Sequence, residues 1–328
     1  MFAGLLNKGL RGSLVLLISF FAVMALLTRL SPYTIENITY PNLFFNYLAN
    51  TVTSETLILL INCLFVAISA ALLNMLCVKE EVSDKQNYHP VFLYLIIAFS
   101  TVNANQLQPM LSANLFLFFA FYRLMGTYRS EHANNRIFEG AFWLALSAYF
   151  TISSITWIPV YFIALTVLRP FVWREWVIAL LGLFSPVVMY ESLAYLSDFN
   201  NGYLWEAAGF YFTHMKMPAL SEYYLFEIIL LTILFLFALL QNIAFGLGNT
   251  VKKQRAKTLL IWLLVFSLPQ IFEPGANSST LLLSFAMPVS IFTGDMLFGI
   301  RQKKITNTLL VLILLAATIV VCGKFGLL

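Results

Sequence analysis

Three acidic residues interrupt otherwise apolar runs of this chain: Glu191, Glu227 and Asp295. An ionisable side chain in such surroundings is a functional candidate by default, because hydrocarbon tolerates charge only where a partner or a wet cavity receives it. Glu191 and Glu227 stand near the ends of their runs, and Asp295 lies six residues before Arg301. The plainer reading, a carboxylate reaching headgroups from near a helix end, therefore carries more weight for all three. A second set is amide-rich: "STVNANQLQPMLSAN" places Asn103, Asn105, Gln106, Gln108 and Asn114 between two apolar runs, and "TISSITWIP" adds hydroxyls before Pro159. These groups either line a polar cavity, with Asn105 and Gln108 touching its substrate, or belong to ordinary short interfacial loops. A third set lies in loops: Glu36 in "SPYTIENITYPN", and Asp198, Glu206, His214, Lys216 and Glu222 in the stretch 198–222. Finally, "LRPFVWREW" mixes two arginines and a glutamate with two tryptophans. It could be a catalytic loop, a lipid-binding patch or a corner at a membrane surface.

Other chemistries lack their residues. No P-loop, dinucleotide-binding glycine motif, zinc-protease HExxH or GxSxG elbow occurs. The three histidines, His89, His132 and His214, are scattered, so no cluster of imidazoles is available for a metal, and no cofactor is expected. Cys63, Cys77 and Cys322 have no CxxC spacing and read as small buried residues. The basic residues form short loop groups, which gives no support to nucleic-acid binding.

What must position these residues follows from composition. Of 328 residues 60% are hydrophobic and only 10% charged, against roughly a quarter charged in soluble domains. Lipid is therefore the solvent for most of the chain, and a bilayer core takes about 20 apolar residues per helix. Runs such as "LVLLISFFAVMALL" are apolar on every face, which predicts helices rather than barrel strands. The expected fold is an all-α transmembrane bundle in one domain, 1–328, of about eleven spans. They cover 13–30, 55–77, 90–103, 108–125, 140–155, 157–168, 177–197, 223–246, 257–273, 280–299 and 307–325. The first apolar run is read as an uncleaved span. With a cytoplasmic N-terminus, sixteen of the 19 basic residues fall in cytoplasmic segments, leaving Arg29, Lys216 and Lys324 outside. The positive-inside rule supports that orientation. On this scheme Arg169–Trp176 is a cytoplasmic corner, its arginines among headgroups and Trp173 and Trp176 at the interface. Segments 90–103, 140–155 and 157–168 are short for full spans, so they are expected to be broken or sheltered by other helices. Residues 203–212 are expected to form a short helix along the membrane surface.

Eleven spans, a polar first outer loop and shortened helices facing the outer leaflet resemble the GT-C fold of multispan lipid-linked glycosyltransferases. The turn "LRPFVWREWVIALLGLF" is similar to a basic turn found mid-chain there. The resemblance covers about residues 1–200. It implies that an acidic residue in the first outer loop acts as base or metal ligand in transfer from a polyprenyl-phosphate-linked sugar. Glu36 matches that position, and Arg29, His214 and Lys216 are the basic groups that would neutralise the lipid phosphate. The first loop lacks the paired acidic motif of that fold and no large outer domain is present, which leaves an inactive relative as an alternative. The whole chain also resembles an uncharacterised family of bacterial inner-membrane proteins, which implies that membrane as its location. Three readings follow: a GT-C-like protein of envelope glycan metabolism, a membrane scaffold with envelope protein partners, or a transporter or flippase of a small or lipidic substrate.

Overall fold

The structure is a computed structural model that describes residues 54–324, except 85–86, 103–106, 131–132, 197–202, 219, 246–249, 275 and 301. The expected first span, 13–30, lies outside the described residues. Eleven α-helices follow, with no strand among the described residues. They are α1 (Glu55–Lys79), α2 (His89–Thr101), α3 (Pro109–Met125), α4 (Asn134–Phe150), α5 (Ile158–Leu168), α6 (Trp173–Leu196), α7 (Tyr203–Thr213), α8 (Glu222–Phe245), α9 (Val251–Ser267), α10 (Ser278–Gly299) and α11 (Lys303–Lys324). Short 3-10 turns, Ile152–Trp157 and Leu268–Phe272, precede α5 and extend α9. Among the described residues six helical stretches are long and apolar enough to cross a membrane: α1, α6, α8, α9 with its 3-10 extension, α10 and α11.

Helix starts differ from the sequence expectation in one consistent way. α4, α6, α9 and α11 begin at 134, 173, 251 and 303, four to six residues before the apolar runs do. The added turns, such as "NNRIFE" and "VKKQRA", are rich in Arg, Lys, Gln and Glu. These residues keep a helix going past its apolar stretch because their straight side chains lose little rotamer freedom there. All four extensions fall at the same end of the bundle, here termed the basic end.

The centre is α10, most of which is buried. It packs against α2, α8, α9 and α3. α2 is 13 residues long, about 20 Å, too short for a lipid-exposed span. It survives because protein surrounds it: every residue from Pro90 to Ala98 is buried. α2 also approaches α10 closely, since a Cβ added to Gly294 would lie 2.6 Å from the backbone nitrogen of Pro90. On the other side of the bundle, Trp143 of α4 stacks on Phe116 and Phe119 of α3 at 5.7 and 5.1 Å. α4 meets α6 at Gly182, where a Cβ would stand 2.6 Å from the Phe138 carbonyl.

The "LRPFVWREW" corner is a clamp. Arg169 Nε donates to both Glu175 oxygens at 3.0 and 2.9 Å. Its Nη1 donates to the carbonyls of Thr127 and Ser130, both at 2.8 Å. The arginine is thus turned inward, a planar fork tying the α5–α6 corner to the segment after α3. Arg174 and Trp173 do face outward, with Trp173 64% exposed. Trp176 is half-buried and stacks on Phe162 at 5.3 Å. The short helix expected over 203–212 is present as α7; Ala207 and Tyr211 pack on Ile152, while Phe210 and Phe212 are exposed.

Candidate functional site

α9 starts and α10 finishes at the basic end, so charged residues a little inside each helix meet there. Lys257 Nζ lies 2.9 Å from Asp295 Oδ2, with both side chains nearly buried. The contact is at ion-pair distance without hydrogen-bond alignment; the well-aligned bond of Lys257 runs to Asn242 Oδ1 at 2.9 Å. Asp295 Oδ1 accepts from the Ser83 hydroxyl and from Asn87 Nδ2, the latter at 3.1 Å. Asn87 also donates to the Gly294 carbonyl at 3.3 Å, and its Oδ1 accepts the His89 backbone N–H at 3.0 Å. One network therefore links α8, α9 and α10 to the start of α2. Beside it, Lys253 pairs with Asp84 at 3.1 Å and Lys252 with Glu80 at 3.0 Å.

A cavity of about 160 Å³ opens among these groups, lined by Gln241, Asn242, Lys253, Lys257, Asp84 and Asp295, with Phe292 and Met296 as apolar wall. It has room for a few heavy atoms. It offers two ammonium groups, two carboxylates and two amides, a set that can bind either end of a small polar or zwitterionic molecule. The sequence reading sends Asp295 to the headgroups; the structure instead gives it a buried partner. Lys257 is the reason, standing 38 residues away but at matching depth in the neighbouring antiparallel helix.

The opposite end of α2 holds a second polar group. Ser100 Oγ donates to Glu227 Oε1 at 2.8 Å, and Glu227 is fully buried. Helix ends leave carbonyls unpaired, and here side chains take them. Lys324 Nζ donates to Ser100 O at 2.5 Å, Tyr224 Oη to the same oxygen at 3.1 Å, and Gln108 Nε2 to Thr101 O at 2.5 Å. The ammonium also sits where the helix dipole is negative.

The residues singled out from sequence are placed as follows. Gln108 closes the end of α2, and Asn114 Nδ2 donates to the Leu283 carbonyl at 2.7 Å. Both amides serve backbone carbonyls in a packed seam. His214 is exposed, stacks on Phe210 at 4.2 Å and bonds locally to Thr213. Lys216 is exposed, and its backbone N–H donates to Phe272 O at 3.3 Å. Among the described residues no hydrogen bond or ion pair joins Gln108, His214 and Lys216. Glu36, Arg29 and Asn105 lie outside the described residues. Among the described residues no group of three His, Cys, Asp or Glu side chains could hold a metal.

Near Lys216, beyond the end of the α9 span, Glu273 is buried against the 3-10 turn and its Oε2 accepts from Ser153 Oγ at 3.0 Å. Burial raises its carboxyl from 4.5 to about 7, against the opposing pull of the Ser153 bond. The folded protein thus holds a proton that the unfolded chain releases. Its contribution to stability is full below about pH 4.5 and is lost as pH rises through about 7. The difference in Tm between wild type and Glu273→Gln is expected to vary across that window and to level off above it. An offset that stays constant from pH 4 to 8 would count against the buried acid.

Residues 33–324 match the model of a family described as a family of unknown function, DUF6427. No curated protein and no solved structure matches the chain.

Proposed function

This chain belongs to DUF6427, and we propose that it is a carrier for a small polar solute in the bacterial inner membrane, with the cavity at the basic end as its loading site. The observation that carries the reading is α2. This short, enclosed helix has ionisable side chains at both ends, Lys257 and Asp295 beside its start and Glu227 and Lys324 at its finish. Buried charge in a membrane bundle marks substrate or ion pathways, and helices interrupted at depth are the usual builders of such sites. In this reading the N-terminus is cytoplasmic, the cavity faces the cytoplasm and the chain spans about eleven times. The ion pairs of the basic end must part for a solute to enter, which makes Lys253 and Lys257 the groups that exchange a carboxylate of the protein for one of the solute.

The test is thermal stability of the purified protein against amino acids, dicarboxylates and polyols, for wild type and for Asp295→Asn. Ligand at a hundredfold its Kd stabilises the native state by about 2.7 kcal/mol. One solute class is expected to raise the Tm of the wild type and to leave the variant unmoved. No stabilisation by any class, with Asp295→Asn fully functional in cells, would turn the reading toward a scaffold.

A second reading, a GT-C-like protein acting on polyprenyl-phosphate-linked sugar, is supported by the segment after α7. Exposed His214 and Lys216 stand next to exposed Phe212, Met215 and Met217, a basic and apolar surface suited to a lipid phosphate. Substituting Glu36, alone and with Lys216, and measuring surface glycan at normal protein level separates the two: loss of glycan favours transfer chemistry.

A further inference from the structure

The carboxyl of Glu227 is in an unusual position for a charge. Its residue is fully buried, Oε1 receives one hydrogen bond from Ser100, and Oε2 has no hydrogen-bond partner. A carboxylate left half-solvated inside a bundle is costly, and the group relieves that cost by taking a proton. The nearest cation does not neutralise it directly. Lys324 directs its ammonium to the carbonyls of Ser100 and Val102, at 2.5 and 3.4 Å, and lies over the Tyr224 ring at 5.3 Å. Ser100 is the shared element: its hydroxyl serves the acid and its carbonyl serves the base. Among the described residues of α2, α8, α10 and α11, Glu222 is the one other charge at this end, and α1, which packs on α2, begins with Glu55. α10 carries Asp295 as its one charged residue, at the opposite end, and α2 carries none beyond His89 at its own start. On α11, Lys324 is the charged group at this end, and on α8 it is Glu222, which is exposed at the first turn.

We propose that Glu227 is a proton-binding site, loaded when its carboxyl is neutral and unloaded when Lys324 stands as counter-charge to the carboxylate. The route to it is from the far end of the bundle, where Lys324 is part-exposed. Loading adds one proton to Glu227 Oε2, the oxygen without a partner, and leaves the Ser100 bond in place. Unloading returns that proton to the same side and leaves a carboxylate and an ammonium linked through one serine. Because both act on the last turn of α2, the proton changes how firmly that helix end is held. A proton bound here is a property of the packed helices whatever solute the cavity takes, so it stands or falls apart from the carrier reading.

The test is infrared difference spectroscopy of the protein in lipid nanodiscs across a pH titration. A carboxylic-acid C=O band is expected at low pH that disappears as pH rises and is missing from Glu227→Gln. Where that variant does not fold, Glu227→Asp assigns the band by moving its frequency. Lys324→Gln removes the positive charge that favours the carboxylate, so the midpoint is expected to move to higher pH by about one unit or more. A wild-type titration with no band assignable to Glu227, or a midpoint that Lys324→Gln leaves in place, would overturn the proposal.

Discussion

Lys257→Met is expected to destabilise the bundle by about 3–5 kcal/mol, because it leaves the nearly buried Asp295 carboxylate without its cation. The lysine gives up an ion pair and its bond to Asn242, and the carboxylate keeps only the neutral donors Ser83 and Asn87. The double variant Lys257→Met with Asp295→Asn should recover a large part of the loss. Asparagine can still accept from Ser83 and Asn87 through its oxygen, and no unpaired charge remains. The two effects should therefore couple by about 1–3 kcal/mol, measured as a double-mutant cycle in denaturant or thermal unfolding. Simple additivity would mean that the pair contributes nothing as a pair, and that the network is held by its neutral hydrogen bonds.

The second large effect belongs to Gly294. A methyl group there meets the Pro90 nitrogen at 2.6 Å and two Pro90 ring carbons at 2.7 Å. Neither a backbone atom nor a proline ring can swing aside, so α2 has to move as a body. Gly294→Ala is expected to cost about 1–3 kcal/mol as overpacking, and Gly294→Val more. The same shift pulls Asn87 away from the Gly294 carbonyl and Asp295, so the alanine variant should also weaken any solute binding at the cavity. Gly209 in α7 provides the contrast, since nothing lies within 4 Å of a Cβ added there. Gly209→Ala is expected to be neutral or to stabilise by up to about 1 kcal/mol, through helix propensity alone. Equal losses at the two glycines would refute the close approach of α2 to α10.

The helices could be read from sequence because apolar run length is set by bilayer thickness, and each described run from 55 to 324 has its helix. The starts at the basic end could not be placed by hydropathy, since "NNRIFE" and "VKKQRA" look like loop until helix propensity is weighed separately. The sites were harder. Asp295 and Lys257 each look like a headgroup contact in isolation; their meeting depends on α9 and α10 being adjacent and antiparallel, with the two residues at equal depth. That pairing was within reach of the topology, but only by matching depths across the turn. The role of Gln108 was not. Whether an amide faces a cavity or closes a helix depends on where Thr101 O points, and no periodicity in "STVNANQLQPMLSAN" encodes that.

The manner in which α2 is closed also governs how the protein can be made. Thirteen residues are too few for a translocation channel to release into lipid as a stable span, and the carbonyl of Ser100 waits for an ammonium 224 residues further along the chain. At a synthesis rate of about 5–20 residues per second, that interval is roughly 10–45 s. Throughout it the nascent segment 89–101 must stay in the insertion machinery, at the membrane surface, or against a chaperone that covers its open end. Glu227 enters the membrane with α8 in the same interval, before Lys324 exists, and so does so without that counter-charge. Assembly of the core consequently waits for α11, and a chain cut short before that helix would leave the membrane with an unfinished centre and not a smaller working protein.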